Sequence, residues 1–152
     1  MIPVCKPWLP GNEKKYVQEC MDTNWISSSG EFIIKFEEDF SSYCGAEFGV
    51  SCTSCYAALH LACMAIGLNK GDEVIVPNFT MSAPLVAVSQ TGARPVLVDC
   101  RKDTWNIDEN KIEEKITERT KAIIAVHIYG HPCEMDKIME IADQYSIPVV
   151  ED

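Results

Sequence analysis

A mostly parallel α/β sheet with helical crossovers is the architecture this sequence predicts, and three observations predict it. Ala122 to Ile128 and Ile147 to Val150 are continuous apolar runs, the pattern of strands buried on both faces. Stretches of helical periodicity alternate with strand candidates on short loops, which is the order of parallel strands joined by crossovers. Gly45, Gly67, Gly92 and Pro77 stand where such segments end.

The elements follow in chain order. Asn12 to Asp22 carries Tyr16, Val17 and Cys20 at helical spacing, and Glu31 to Tyr43 carries Phe32, Phe36, Phe40 and Tyr43 at steps of three and four. Cys44-Gly45 closes that second helix. Phe48 to Cys52 is a short strand candidate. Ala57 to Ile66 is an apolar helix closed by Gly67, and Glu73 to Val76 is a strand stopped by Pro77. Ser82 to Thr91 reads as a helix, with Pro84 in the first turn, where proline is tolerated. Pro95 to Val98 is a strand. Glu109 to Ile116 is a helix capped by Asp108. The Ala122 run, a helix over Glu134 to Tyr145 and the Ile147 run complete the pattern.

Composition excludes some functions. With 47% apolar and 24% charged residues, the 152-residue chain is an ordinary globular sequence able to bury a core. A formal net charge of −10 argues against nucleic acid, whose phosphates need clustered Lys and Arg. A small anion remains open to it, because a few local N–H groups suffice. No stretch approaches the roughly 18–20 apolar residues of a membrane helix. The opening residues, Met1 to Pro7, lack the order of a signal peptide, so a cytoplasmic location is expected. There the eight cysteines stay reduced, most of them as small buried residues.

In parallel sheets, ligands sit beyond the carboxyl ends of the strands, so chemistry is sought there. Ser51 to His60 runs from a strand through small polar residues into a helix. The first-turn N–H groups of that helix suit a phosphate, with Thr53 and Ser54 as added donors; equally, either residue is a plain helix cap. Cys52, Cys55, His60 and Cys63 also spell a zinc-knuckle-like series, although the last spacing is wrong for one and His60 and Cys63 fall on a buried helix. Asp152 ends a buried strand, where a carboxylate needs a positive partner such as a protonated pyridine nitrogen. A cap for a following helix is the alternative. His127 and His131 lie four apart in a glycine–proline turn, which does not hold them on one face as a helix would, so no metal site is assigned. Asn24 to Gly30 is a polar loop, either a substrate loop or a connector.

The order of these segments decides more than any one of them. Ile2-Pro3-Val4, Gly11-Asn12-Glu13, Trp25-Ile26-Ser27-Ser28 through Gly30, and Phe36-Glu37 come first. Ala57-Ala58-Leu59-His60-Leu61-Ala62, Gly71 to Pro77 and Gly92 to Val96 follow. Arg119 to Ile124, Val126 to Gly130 and Val149-Val150-Glu151-Asp152 complete the series. Along the whole chain this series resembles the sugar aminotransferases of the DegT/DnrJ/EryC1/StrS family, and its opening resembles the perosamine branch most closely. The resemblance implies a pyridoxal-phosphate-dependent transferase of fold type I, like aspartate aminotransferase, with only the first part of the large domain present. Residues 1–30 then form an N-terminal helix and active-site loop, and 31–152 the first part of the cofactor domain.

The activity implied is amino transfer, usually from glutamate, to a nucleotide-linked 4-keto-6-deoxy sugar, by a homodimer. Asp152 matches the aspartate on the pyridine nitrogen. Ser54, Cys55, Tyr56 and Ala57 match the segment that holds the phosphate, and Met81 the position that stacks on the ring. Trp25, Ser27, Ser28 and Gly30 match a loop near the substrate. Three departures accompany the match. Cys55-Tyr56 replaces a pair of small residues, Met81 replaces an aromatic ring, and the family's Schiff-base lysine falls beyond Asp152. By position none of Lys111, Lys115, Lys121 or Lys137 substitutes for it. A non-catalytic remnant that binds a partner or a nucleotide sugar is the alternative, and a zinc module at Cys52, Cys55, His60 and Cys63 a lesser one. An open sheet without its later elements exposes an apolar edge. Self-association of the purified chain is therefore expected, and a monodisperse monomer by light scattering would contradict it.

Overall fold

The computed structural model describes residues 2–3 and 5–152; Met1 and Val4, which begin and end the opening motifs, lie outside the described residues. Two compact units form, Met1–Ser51 and Cys52–Asp152. The division at residue 30 expected from the resemblance does not coincide with this packing boundary.

The first unit holds α1 (Glu13–Thr23) and α2 (Glu31–Cys44). Tyr16 and Phe32 join them, with ring centroids 5.0 Å apart. After α2 the chain turns at Gly45, whose φ of 68° suits a residue without a side chain. Gly49 then passes so close to α2 that a Cβ there would lie 2.5 Å from the Glu37 carbonyl oxygen. The strand expected over Phe48 to Cys52 is not formed. Ser51 is held instead by Glu37 Oε1, to which its N–H donates at 2.7 Å and its hydroxyl at 2.8 Å. A strand needs a neighbour to bond, and among the described residues no strand pairs with this segment.

The second unit contains α3 (Cys55–Ile66), β1 (Glu73–Pro77), α4 (Ala83–Gln90), β2 (Arg94–Val98), β3 (Thr120–Ala125), α5 (Met135–Tyr145) and β4 (Val149–Glu151). The strands form one parallel sheet in the order β2-β1-β3-β4. Alternate side chains of β1 and β3 serve opposite faces. Val74, Val76, Ala122 and Ile124 pack with Leu59, Cys63, Ala87 and Val88 of α3 and α4. Ile75, Ile123 and Ala125 pack with Ile138 and Ala142 of α5 and with Ile107 and Ile112. Each fully buried Val, Leu or Ile side chain among them contributes about 1.5–3 kcal/mol.

The helix expected over Glu109 to Ile116 appears as two 3₁₀ turns, Glu109–Lys111 and Glu113–Lys115. Asp108 does cap the first, accepting from the Asn110 N–H at 3.2 Å. Glu109 and Ile112 are both buried, and three residues per turn brings i and i+3 onto one line, which an α-turn does less well. Within β3 the apolar run continues past the strand: Ala125 is its last residue and Ile128–Gly130 is a 3₁₀ turn.

Glu73 ties the amino ends of three strands together. Its Oε1 accepts from Arg94 Nη2 at 2.6 Å and pairs with Arg119 Nη2 at 2.7 Å, while Thr117 donates to Oε2 at 2.7 Å. The carboxylate is almost fully buried and the guanidinium groups are mostly exposed. The Thr117 and Arg94 hydrogen bonds, then the neighbouring positive charges, hold its carboxyl below the usual range. The stability it supplies is complete above the unfolded value of about pH 4.3 and is lost as pH falls through the lowered one. Glu73→Gln should cost about 1–2 kcal/mol at pH 7. In urea titrations at pH 7, 4 and 3 the gap to the wild type should close on acidification; a gap independent of pH would contradict this account.

Candidate active site

The order β2-β1-β3-β4 places the switch point of the sheet between β1 and β3. From β1 the chain crosses through α4 to one side, and from β3 through α5 to the other. The crevice beyond the carboxyl ends of these two strands is where ligands bind in such sheets. It is bordered by Asn78 to Met81 after β1, His127 to His131 after β3, Asp152 after β4 and the start of α3. A cavity of about 1130 Å³, lined by Gly67, Asn69, Thr117, Thr120 and Tyr145, lies at the opposite, amino edge, away from these groups.

Two predicted site residues meet directly. The Cys55 thiol, in the first turn of α3, donates to Asp152 Oδ1 at 2.9 Å. That hydrogen bond, with burial and the negative charge of Asp152 added, pushes the thiol up to about 11. Ser54 is the N-cap of α3, and its hydroxyl accepts from the Ala57 N–H at 3.2 Å. The cap reading of Ser54 is thus realised, one turn away from the carboxylate. The Tyr56 ring stacks along His60, one turn further on, with centroids 6.3 Å apart, and its hydroxyl donates to Gln90 at the far end of α4. Its side chain therefore runs down the helix rather than over the start of it.

Met81 follows β1 and is 77% exposed. Trp25, Ser27, Ser28 and Gly30 belong to the first unit, in the loop between α1 and α2, where Gly30 is buried and starts α2. Lys111, Lys115 and Lys137 are ion-paired with Asp99, Glu114 and Glu109, and Lys121 is exposed on β3. His127 accepts from the Cys133 N–H through Nδ1 at 3.0 Å, which leaves Nε2 as its N–H, directed at Glu151 Oε2 at 2.9 Å. Among the described residues no group of three or more His, Cys, Asp and Glu side chains is placed to hold a metal ion. Of the zinc-like series, Cys63 is buried, Cys55 is bound to Asp152 and His60 lies on Tyr56.

The sequence reading missed Asn106. It is 3% exposed, its amide donates to the carbonyls of His131 and Pro132 at 2.9 and 2.8 Å, and its Oδ1 accepts from the Ile128 N–H at 3.1 Å. It clamps the loop after β2 to the loop after β3. The signal available was a lone amide between Trp105 and Ile107, at the head of a segment that enters the core. Beside the clamp, Trp105 and Tyr129 take left-handed backbones, φ 65° and 52°, at roughly 1–2 kcal/mol each.

Comparison with known proteins places this geometry. Residues 9–152 match the DegT/DnrJ/EryC1/StrS aminotransferase family. The chain belongs to that family. The GDP-perosamine synthase of Caulobacter vibrioides is 51% identical over 99% of this chain, and that of Escherichia coli O157:H7 is 47% identical over the same share. A solved structure of E. coli GDP-4-keto-6-deoxy-D-mannose-3-dehydratase, with bound hydrated PLP, is 31% identical, superposes with a TM-score of 0.88 and is covered over 40% of its length. The fold is that of the PLP-dependent aminotransferases and dehydratases, α/β with a parallel sheet. The chain spans about two fifths of the length of the two synthases. Among the described residues no helix is long and apolar enough to cross a membrane.

At this edge of the sheet, the Cys55–Asp152 bond is open to a direct test. Asp152→Asn removes the charge that suppresses the thiolate. Alkylation of Cys55 by iodoacetamide at pH 8, followed by peptide mass spectrometry, should then gain roughly tenfold or more. Cys133, whose thiol burial pushes up to about 11, should not change. An unaltered Cys55 rate would show that Asp152 does not control it.

Proposed function

We propose that this chain is the cofactor-binding part of a pyridoxal-phosphate-dependent enzyme that transfers an amino group from glutamate to a GDP-linked 4-keto-6-deoxy sugar in the cytoplasm, as a homodimer. One observation carries the reading: the carboxylate of Asp152 and the first turn of α3 meet at one edge of the sheet, through the 2.9 Å contact with Cys55. The residues fit the cofactor. Asp152 would hold the protonated pyridine nitrogen, the first-turn N–H groups of Cys55 and Tyr56 would take the phosphate, with the Ser54 hydroxyl and the Ala57 N–H joining once their own 3.2 Å bond is given up, and Met81 would lie against the ring through its soft thioether. When bound, the group supplies an electron sink for proton movement at the carbon that carries nitrogen. Trp25 to Gly30 is assigned to the sugar.

The identities with two GDP-perosamine synthases support the acceptor, and the match of Asp152 to the family's aspartate supports the cofactor's orientation. The proton-moving lysine has no counterpart among the residues of this chain. Purified alone with pyridoxal phosphate, glutamate and GDP-4-keto-6-deoxymannose, it should form no amino sugar; product above the protein-free control would overturn that assignment. The reading as a whole is tested by expressing the full reading frame of the source gene and assaying the same mixture by mass spectrometry. A glutamate-dependent 4-amino product supports it. Unchanged keto sugar from a folded, cofactor-loaded protein refutes it.

A further inference from the structure

Three loops at the carboxyl edge, after β1, β2 and β3, form a second feature of this edge. Phe79, Thr104, Trp105, Ile128, Tyr129 and His131 line a cavity of about 340 Å³, within the range of small-ligand sites. Phe79 and Trp105 are tilted against each other with centroids 5.1 Å apart. Tyr129 is 87% exposed, so its ring faces solvent and not the core. The cavity adjoins the Asp152 end of the site, because the His127 N–H donates to the Asp152 carbonyl at 2.9 Å and Ile128 and Tyr129 come directly after.

The backbone here is arranged against its own preference. Large aromatic residues rarely take a positive φ, yet both Trp105 and Tyr129 do. The buried Asn106, with its three hydrogen bonds across the two loops, holds both turns in register. Strain that the surroundings enforce, beside a crevice, points to a positioned surface.

We propose that this cavity seats the nucleobase of the nucleotide sugar. The inference rests on the nucleotide-sugar reading above and assigns a place to one part of that substrate. The lining decides the ligand class. A sugar needs a dense set of hydrogen-bonding groups and a diphosphate needs cations; no Lys or Arg is among the six lining residues. Aromatic faces, by contrast, stack on any flat heterocycle. Thr104 and His131 supply the polar side chains at the rim to meet the edge of a base.

The test follows the tryptophan fluorescence of the 152-residue chain, with Trp105→Phe as the control that removes the reporter in the cavity. GDP should quench the chain's fluorescence saturably, and mannose 1-phosphate, which has no base, should not. Tyr129→Gly removes the ring while suiting the positive φ, so folding is kept and is checked by circular dichroism. It should weaken GDP binding roughly 5- to 150-fold, the range of one base–aromatic stack. Phe79→Leu, which preserves bulk but not the ring, should weaken it in the same direction. Absence of quenching, equal quenching by mannose 1-phosphate, or GDP affinity unmoved by both variants overturns the proposal. Binding that persists in both variants removes the pocket and leaves the nucleotide-sugar reading intact, since that reading stands or falls on the amination assay.

Discussion

Val74, Ile75 and Val76 are wholly removed from solvent, and consecutive residues of a strand can be so only when both faces of the sheet are covered. That constraint dictates the layout of the whole second unit. Val74 and Val76 call for α3 and α4 on one face, and Ile75 calls for α5 and the Ile107–Ile112 segment on the other. With helices on both faces and right-handed crossovers, the chain must leave β1 and β3 in opposite directions across the sheet. The crevice at their carboxyl ends is a product of that reversal, and the start of α3, Asp152 and the two loops meet there because of it.

The acidic groups of the second unit divide by partner. Glu73 and Glu109 are both buried, and each is met by positive charge: Arg94 and Arg119 for the first, Arg101 and Lys137 for the second. These satisfy the requirement that a buried carboxylate be paired, and they hold strand ends and loops in place. Asp152 differs. Its side-chain partner is the Cys55 thiol, a weak and neutral donor, and among the described residues no ion pair joins it. A half-buried carboxylate with a neutral partner retains affinity for a cation brought from outside. That contrast, within one sheet, is the physical ground for reading Asp152 as a binding group while Glu73 and Glu109 are read as structural.

Legibility in the sequence tracked the range of the forces involved. The Ala122 run was readable as a doubly buried strand because burial on two faces leaves no polar alternation. Pro84 and Asp108 were readable because caps and first turns are local. The strand at Phe48 was not realised, since pairing depends on a distant neighbour and not on Phe and Val themselves. The Glu109 segment kept its cap but not its α-helical pitch, because burial of two side chains three apart governed it. The Cys55–Asp152 contact joins residues 97 apart in sequence; the place of each at a strand end singles it out, but nothing local in the sequence pairs them. The Asn106 clamp and the positive φ of Trp105 and Tyr129 are not legible in the sequence: a bridge between two loops and a left-handed backbone leave no periodic trace.

The relatives of this chain include both amino transfer and dehydration on one fold, as the names of the synthases and of the E. coli dehydratase state. The elements of this chain bear unequally on that difference. A partner for the pyridine nitrogen and a phosphate cradle serve either reaction, since both need the ring fixed and its nitrogen kept protonated. The proton-moving lysine, on the proposed reading, is not among these residues. What this chain does hold is an edge where a carboxylate and a helix start meet, assigned to the cofactor on that reading, and beside it two strained loops whose aromatic rings face outward. Identity of 51% with a synthase against 31% with the dehydratase favours amination, but through descent and not through any group placed here. On the proposed reading the chain bears on which molecules are brought together more than on which bond is changed, and substitutions in its crevice should alter binding before they alter chemistry.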